Sequence, residues 1–67
     1  MKIEYDEKAD AAYIYVEQIK PGKAEKTVEV NGNINLDFDK KGKLLGIEIL
    51  EAKKMLNKQV LLEAEHA

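Results

Sequence analysis

Three acidic residues near the two ends of the chain have side chains that could do chemistry. Asp6 and Asp10 stand close together near the start, and Glu48 lies in an apolar segment near the end. Paired carboxylates act as general acid and base when burial moves their pKa values apart. A carboxylate–tyrosine site would result if Glu48 lay beside Tyr13 or Tyr15. The structural alternative is that the two aspartates stabilise a turn while Glu48 accepts a hydrogen bond or pairs with a lysine.

A row of oxygen-bearing side chains follows in the middle of the chain, formed by Asn33, Asn35, Asp37 and Asp39. Hard cations such as Ca²⁺ prefer oxygen ligands. However, a strand places alternate side chains about 7 Å apart, which is too far for one ion. Lys40 also stands where a calcium loop needs glycine. We therefore expect a solvated sheet face, with no bound metal and no cofactor.

The sequence contains few residues that could act as a catalytic nucleophile or as its base. The chain contains no Cys and no Ser, Thr27 is the single threonine, and His66 lies at the far C-terminal end. A Ser- or Cys-based triad is therefore excluded, and no glycine pattern resembles a phosphate-binding loop. We expect the protein not to be an enzyme. The alternative is a small-ligand- or metal-binding domain, or an acid–base enzyme using Glu48 with Asp6 or Asp10.

Size and charge limit the remaining possibilities. A chain of 67 residues forms one domain, here residues 1–67, with a core small enough that oligomerisation is a usual supplement. Eleven lysines face 13 acids, the net charge is −2, and arginine is absent. Arginine is the preferred residue for phosphate and guanine contacts, so we expect no nucleic-acid binding. No stretch resembles a signal peptide or a membrane span, and we expect a cytoplasmic protein.

Alternating polar and apolar residues predict about five strands over residues 2–50. Asn31-Gly32 predicts a two-residue type I′ hairpin, Asp39 to Gly42 predicts another turn, and Pro21-Gly22 breaks the chain after the second strand. The last strand, residues 43–50, is apolar on both sides apart from Glu48. Such a strand is usually central or covered on its second face. Gly46 leaves a gap beside Glu48.

From Glu51 the apolar period changes to four residues, which predicts a helix. It is carried by Ala52, Leu56, Val60 and Ala64, and no Gly or Pro follows Gly46 to interrupt it. Residues 58–67 either continue this helix or form a looser arm. The predicted fold is α+β: a small antiparallel β-meander of about five strands, residues 2–50, with one C-terminal helix and arm, residues 51–67, packed on one face.

Two segments of the sequence resemble a known family. They are Tyr5-Asp6-x-x-x-Asp10-Ala11-x-Tyr13-Ile14 and the segment from Gly42 to Ala52, which reads G-x-L-x-G-I-E-I-L-x-A. The chain is similar to a family of small bacterial and archaeal domains of unknown function over about residues 3–56. Ala12 stands where that family usually has Leu, and Glu51 where it usually has Asp. The resemblance implies a small β-rich domain with a helix, and it implies no established activity.

Apolar side chains exceed what one face of so small a sheet can hide, and exposed apolar patches mark partner surfaces. The alternative is that the helix covers them all within one chain. We expect a non-enzymatic protein-interaction module that self-associates, with a homodimer favoured and a further protein partner possible. The site or interface is expected around Gly46 and Glu48. Its candidate residues are Asp6, Asp10, Tyr13, Tyr15, Gly46, Glu48, Leu50, Met55, Leu61 and Leu62.

Overall fold

Six strands and two short helices make up the computed structural model, which describes residues 1–18 and 23–66. The predicted turn at Pro21-Gly22 lies outside the described residues. In chain order the elements are β1 (Lys2–Asp6), β2 (Ala11–Tyr15), β3 (Lys26–Glu29), β4 (Ile34–Phe38), β5 (Leu44–Leu50), α1 (Ala52–Met55), α2 (Lys58–Glu63) and β6 (Glu65–His66). The mostly β architecture with helical structure after residue 51 agrees with the predicted fold class.

The strands form one sheet in the order β3-β4-β5-β2-β1-β6. The predicted antiparallel meander of about five strands is correct as a mostly β sheet but differs from the described sheet in three respects. There are six strands, β6 runs parallel to β1, and β2 pairs with β5 rather than with its chain neighbour β3. The pairing of β2 with β5 places β5 between β4 and β2, the central position expected of a strand that is apolar on both faces. Leu45, Gly46 and Ile49 of this strand are buried.

One face of the sheet, the apolar face, carries two cross-strand rows of side chains, because directly paired residues share a face. The first row is Tyr5, Ala12, Ile49 and Ile34. The second row, hereafter the apolar row, is Ile3, Ile14, Ile47, Leu36 and Val28.

The C-terminal segment packs on the first of these rows. Ala52 and Ala64 are buried with Tyr5, Ala12 and Ile49, and further apolar residues pack against this cluster, among them Met55, Leu56 and Leu61. The single predicted helix is wrong, because Leu56 and Asn57 are extended and separate α1 from α2. An uninterrupted helix would place Ala52 and Ala64 about 18 Å apart along its axis. The break allows both alanines to join one core. Neither helix in the described ranges is long and apolar enough to cross a membrane.

The two tight turns have different outcomes. The turn at Asp39 is confirmed: its carboxylate accepts hydrogen bonds from the backbone N–H of Lys43 and of Lys41, both at 2.9 Å, and these bonds lower its pKa. The two-residue type I′ hairpin is wrong. Residues 31–33 form a three-residue connection closed by a Val30 N to Ile34 O bond of 2.8 Å. Asn31 Oδ1 accepts from Asn33 N at 3.3 Å, an Asx turn that replaces the expected geometry.

Candidate functional site

Six of the ten candidate residues lie together on the sheet face opposite the apolar face. This polar face consists of three cross-strand rows. They are Asp6, Ala11 and Leu50; Glu4, Tyr13, Glu48, Asn35 and Glu29; and Lys2, Tyr15, Gly46, Asp37 and Thr27. The candidate residues among them are Asp6, Tyr13, Tyr15, Gly46, Glu48 and Leu50. The regular period-2 pattern of the strands is what brings them to one side.

Tyr13 is the central side chain of the polar face. Its ring lies over Gly46, and its hydroxyl donates a hydrogen bond of 2.6 Å to Asp37 Oδ2. Thr27 Oγ1 donates to the other oxygen of Asp37, also at 2.6 Å. Burial, followed by the bond to Asp37, raises the pKa of the Tyr13 phenol well above its ordinary value. The phenol therefore stays protonated at neutral pH and acts as a hydrogen-bond donor, not as a base.

The remaining polar side chains of this face also bond to one another. Glu48 Oε1 accepts a bond of 3.0 Å from Asn35 Nδ2, and Tyr15 donates to Glu4 Oε1 at 3.4 Å. The rings of Tyr13 and Tyr15 meet edge to face, with centroids 4.7 Å apart. Because Glu48 pairs with Tyr13 across the β2–β5 ladder, the carboxylate–tyrosine proximity considered from the sequence does exist.

A small open cavity on the polar face is lined by both Asp6 and Glu48. Its volume is about 170 Å³, and it is lined by Glu4, Asp6, Tyr13, Glu48 and the β2 alanines Ala11 and Ala12. Pockets for small molecules usually measure about 300–1,000 Å³. In residues 1–18 and 23–66, no group of three or more His, Cys, Asp or Glu side chains could hold a metal ion. An acid–base role for the Asp6–Glu48 pair stays a prediction.

Asp10 does not line this cavity, because its groups are engaged at the start of α1. Its Oδ1 accepts a bond of 2.8 Å from the Tyr5 hydroxyl and one of 3.0 Å from Lys53 N. Its backbone carbonyl accepts from Ala52 N at 2.9 Å. Asp6 Oδ1 accepts from Lys8 N at 3.1 Å within the β1–β2 turn. This geometry matches the structural alternative considered for the two aspartates.

The other three candidate residues lie on the helical side of the molecule. Met55 and Leu61 pack against the core, whereas Leu62 is 65% exposed. Leu61 and Leu62 line a larger cavity of about 400 Å³ between the helical segment and the β1–β6 edge. The candidate residues therefore form two separate groups on opposite faces of the sheet.

Sequence reasoning missed two features. The sequence predicts that Asn35 and Asp37 belong to a solvated row, but both bond to side chains of neighbouring strands. The alternation of Asn35 and Asp37 with Ile34, Leu36 and Phe38 could have indicated these bonds. It places both polar side chains on one face of β4, beside the residues of β3 and β5 that pair with them. The other missed feature is Lys53 and Lys58, which line the larger cavity. No signal in the sequence pairs these lysines with the β1 edge.

Comparisons with known proteins place the chain among uncharacterised relatives. The family model described as "Protein of unknown function (DUF2283)" matches residues 2–53. An uncharacterised protein, MJ0789 of Methanocaldococcus jannaschii, is 40% identical over 57 residues, which is 85% of this chain and 46% of that protein. The chain thus spans less than half the length of this curated relative. No solved structure matches the chain at a significant level.

Proposed function

The chain belongs to the protein family of unknown function DUF2283, and we propose that it is a self-association module that forms a homodimer through its apolar face. The single observation that carries this proposal is the apolar row. All five of its side chains, Ile3, Ile14, Ile47, Leu36 and Val28, are apolar, and none of them is buried.

Within residues 1–18 and 23–66, the helical segment does not extend over the β3–β4 end of the apolar face. Ile3, Ile14 and Ile47 pack against the edge of the core cluster, but Leu36 and Val28 do not belong to it. Val16 and Val30, just beyond the ends of β2 and β3, are 37% and 56% exposed. A contiguous apolar strip of this kind is characteristic of interaction surfaces.

The small core of one chain supports a second copy as the occupant. Within the described residues, Leu45 is the one large side chain that is fully buried. A standard interface takes about 800 Å² from each partner, roughly a sixth of the 4916 Å² surface of this chain. Two identical apolar rows are complementary to each other, which suits the isologous contact of a two-fold dimer.

Pairing of two β3 edges is the less favourable way to dimerise. β3 is four residues long and carries Lys26 and Glu29, and short, charged edge strands resist pairing with another chain. The proposed contact is therefore face to face.

Light scattering coupled to size exclusion, at micromolar concentration, tests the proposal with two matched variants. Val28→Lys adds one positive charge to the apolar row, and Thr27→Lys adds the same charge to the adjacent residue on the polar face. We expect the wild type and Thr27→Lys to have twice the chain mass of 7.6 kDa, and Val28→Lys to be monomeric. A monomeric wild type would overturn the proposal. So would a Val28→Lys dimer, which would locate the contact elsewhere.

A further inference from the structure

We propose that the cavity between the helical segment and the β1–β6 edge binds a small amphiphilic anion, a molecule with an apolar body and a single carboxylate. The cavity has a volume of about 400 Å³. This lies within the usual range of about 300–1,000 Å³ for small-molecule sites. It is independent of the proposed dimer contact, because none of the apolar-row residues lines it.

The inner surface of the cavity is mostly apolar. Leu61 and the ring of Tyr5 contribute to it, and Leu62 stands at the surface with 65% of its area exposed. Tyr5 is only 3% exposed and its hydroxyl is bonded to Asp10, so it adds little surface of its own and no free polar group. The His66 ring meets the Tyr5 ring edge to face, with the ring centroids 5.9 Å apart, and it also lines the cavity. A hydrocarbon or aryl body would remove this apolar surface from water.

The charged groups of the cavity select the sign of the ligand. Lys53 and Lys58 both line it, and neither has an ion-pair partner within 4 Å among the described residues. One carboxylate, that of Glu7, lines it as well. Among the side chains that line the cavity, two ammonium groups against one carboxylate leave an excess of one positive charge, while the nearby Asp10 carboxylate already accepts hydrogen bonds from the Tyr5 hydroxyl and Lys53 N. That excess matches a ligand with one negative charge, and it disfavours an amine.

The Asp10 carboxylate fixes the backbone of Lys53 relative to the Tyr5 side chain. Lys53 N donates to Asp10 Oδ1 at 3.0 Å, and Asp10 in turn accepts from the Tyr5 hydroxyl at 2.8 Å. The Asp10 carboxylate thus connects Lys53 with Tyr5, and both of these residues line the cavity. A cavity whose walls are held in this way needs little rearrangement on binding, and preorganisation of this kind favours affinity.

Octanoate, octanol and octylammonium are suitable probes, because they share an apolar body and differ in charge. Each is titrated into the full chain below its micellar concentration while amide chemical shifts are followed by NMR. We expect octanoate to bind most tightly, with the largest shifts at Leu61, Leu62 and His66. Equal affinity for octanol would overturn the proposed anion recognition. Shifts centred on Val28 and Leu36 would overturn the location, and so would the absence of octanoate binding at millimolar concentration.

Matched lysine variants separate the cavity from general surface charge. Lys58→Gln removes a charge from the cavity rim, and Lys54→Gln removes one from a neighbouring exposed position that does not line the cavity. We expect Lys58→Gln to weaken octanoate binding about fivefold, as a partly exposed ion pair of about 1 kcal/mol implies. Lys54→Gln should have no effect, and Glu7→Gln should strengthen binding. Equal losses in the two lysine variants would overturn the assignment.

Discussion

Tyr13 lies across the backbone of Gly46 so closely that residue 46 has no room for a side chain. A Cβ placed there would come within 2.5 Å of Tyr13 Cε2 and 2.6 Å of Tyr13 Cζ. Carbon atoms in favourable contact stand about 3.5–4.0 Å apart. Gly46 is therefore required by the tyrosine ring on the neighbouring strand. The ring position in turn brings the Tyr13 hydroxyl to Asp37 on the far side of β5.

Gly46→Ala should destabilise the protein by about 2 kcal/mol, because overpacking forces the Tyr13 ring to move. The measurement is urea denaturation followed by circular dichroism, at one fixed protein concentration. In a Tyr13→Ala background the same change should be neutral or slightly stabilising, since alanine is better than glycine in a strand. Additive effects of the two changes would contradict the proposed contact, because residues in contact show coupled free energies.

The faces of the strands could be read from the sequence because the period-2 pattern is local. Ile34, Leu36 and Asp37, for instance, take the sides that the alternation of β4 predicts. The pairing of β2 with β5 could not be read in the same way. Its contacts join distant segments such as Tyr13 and Glu48, and no local preference distinguishes this neighbour from β3.

The prediction of one continuous helix after Glu51 was wrong for a related reason. Its residues have adequate helix propensity, but packing of Ala52 and Ala64 into one cluster overrides that propensity at Leu56. The partners of Asp10 were equally inaccessible. Lys53, which its carboxylate caps, lies 43 residues further along the chain. The candidate site was thus predicted where it depends on strand alternation and missed where it depends on tertiary contacts.

Asp10 should be the most sensitive of the acidic residues to substitution. Asp10→Ala leaves both the Tyr5 hydroxyl and Lys53 N without their acceptor, and we expect a loss of about 2 kcal/mol of unfolding free energy. Asp10→Asn keeps an acceptor oxygen and tolerates the left-handed backbone (φ 51°) of this residue, so its loss should be less than half as large. Urea denaturation provides the comparison. Equal losses for Asn and Ala would show that the acceptor oxygen is not what matters.

The Tyr5 phenol should titrate at abnormally high pH. Burial, followed by the hydrogen bond to Asp10, raises its pKa to about 12 from 10.0. A raised folded-state pKa gives stability that is complete below pH about 10 and is lost as the pH rises through about 12. Tyr5 is the single phenol in a Tyr13→Phe/Tyr15→Phe variant, so its absorbance at 295 nm reports this titration directly.

In that same background, Asp10→Asn removes the charge beside the phenol and should lower the midpoint of the Tyr5 titration. Circular dichroism at each pH serves as the control, because unfolding returns the phenol to its ordinary pKa. A Tyr5 titration midpoint near pH 10 in the Tyr13→Phe/Tyr15→Phe variant that keeps Asp10, with the chain still folded, would be inconsistent with the buried Tyr5–Asp10 pair.

Glu51→Gly should stabilise the protein. Glu51, the residue before α1, lies in the left-handed region at φ 52°, and its side chain makes no capping hydrogen bond. A non-glycine residue in this conformation destabilises the folded chain by about 1–2 kcal/mol. Glycine removes this strain, but it loses more conformational entropy on folding, which offsets part of the gain. The net gain should be about 0.5–1 kcal/mol, measured by urea denaturation. Glu51→Ala is the matched control, because it removes the same side chain and keeps the strain. If alanine stabilised as much as glycine, the charge of Glu51 rather than its backbone would be the source of the cost.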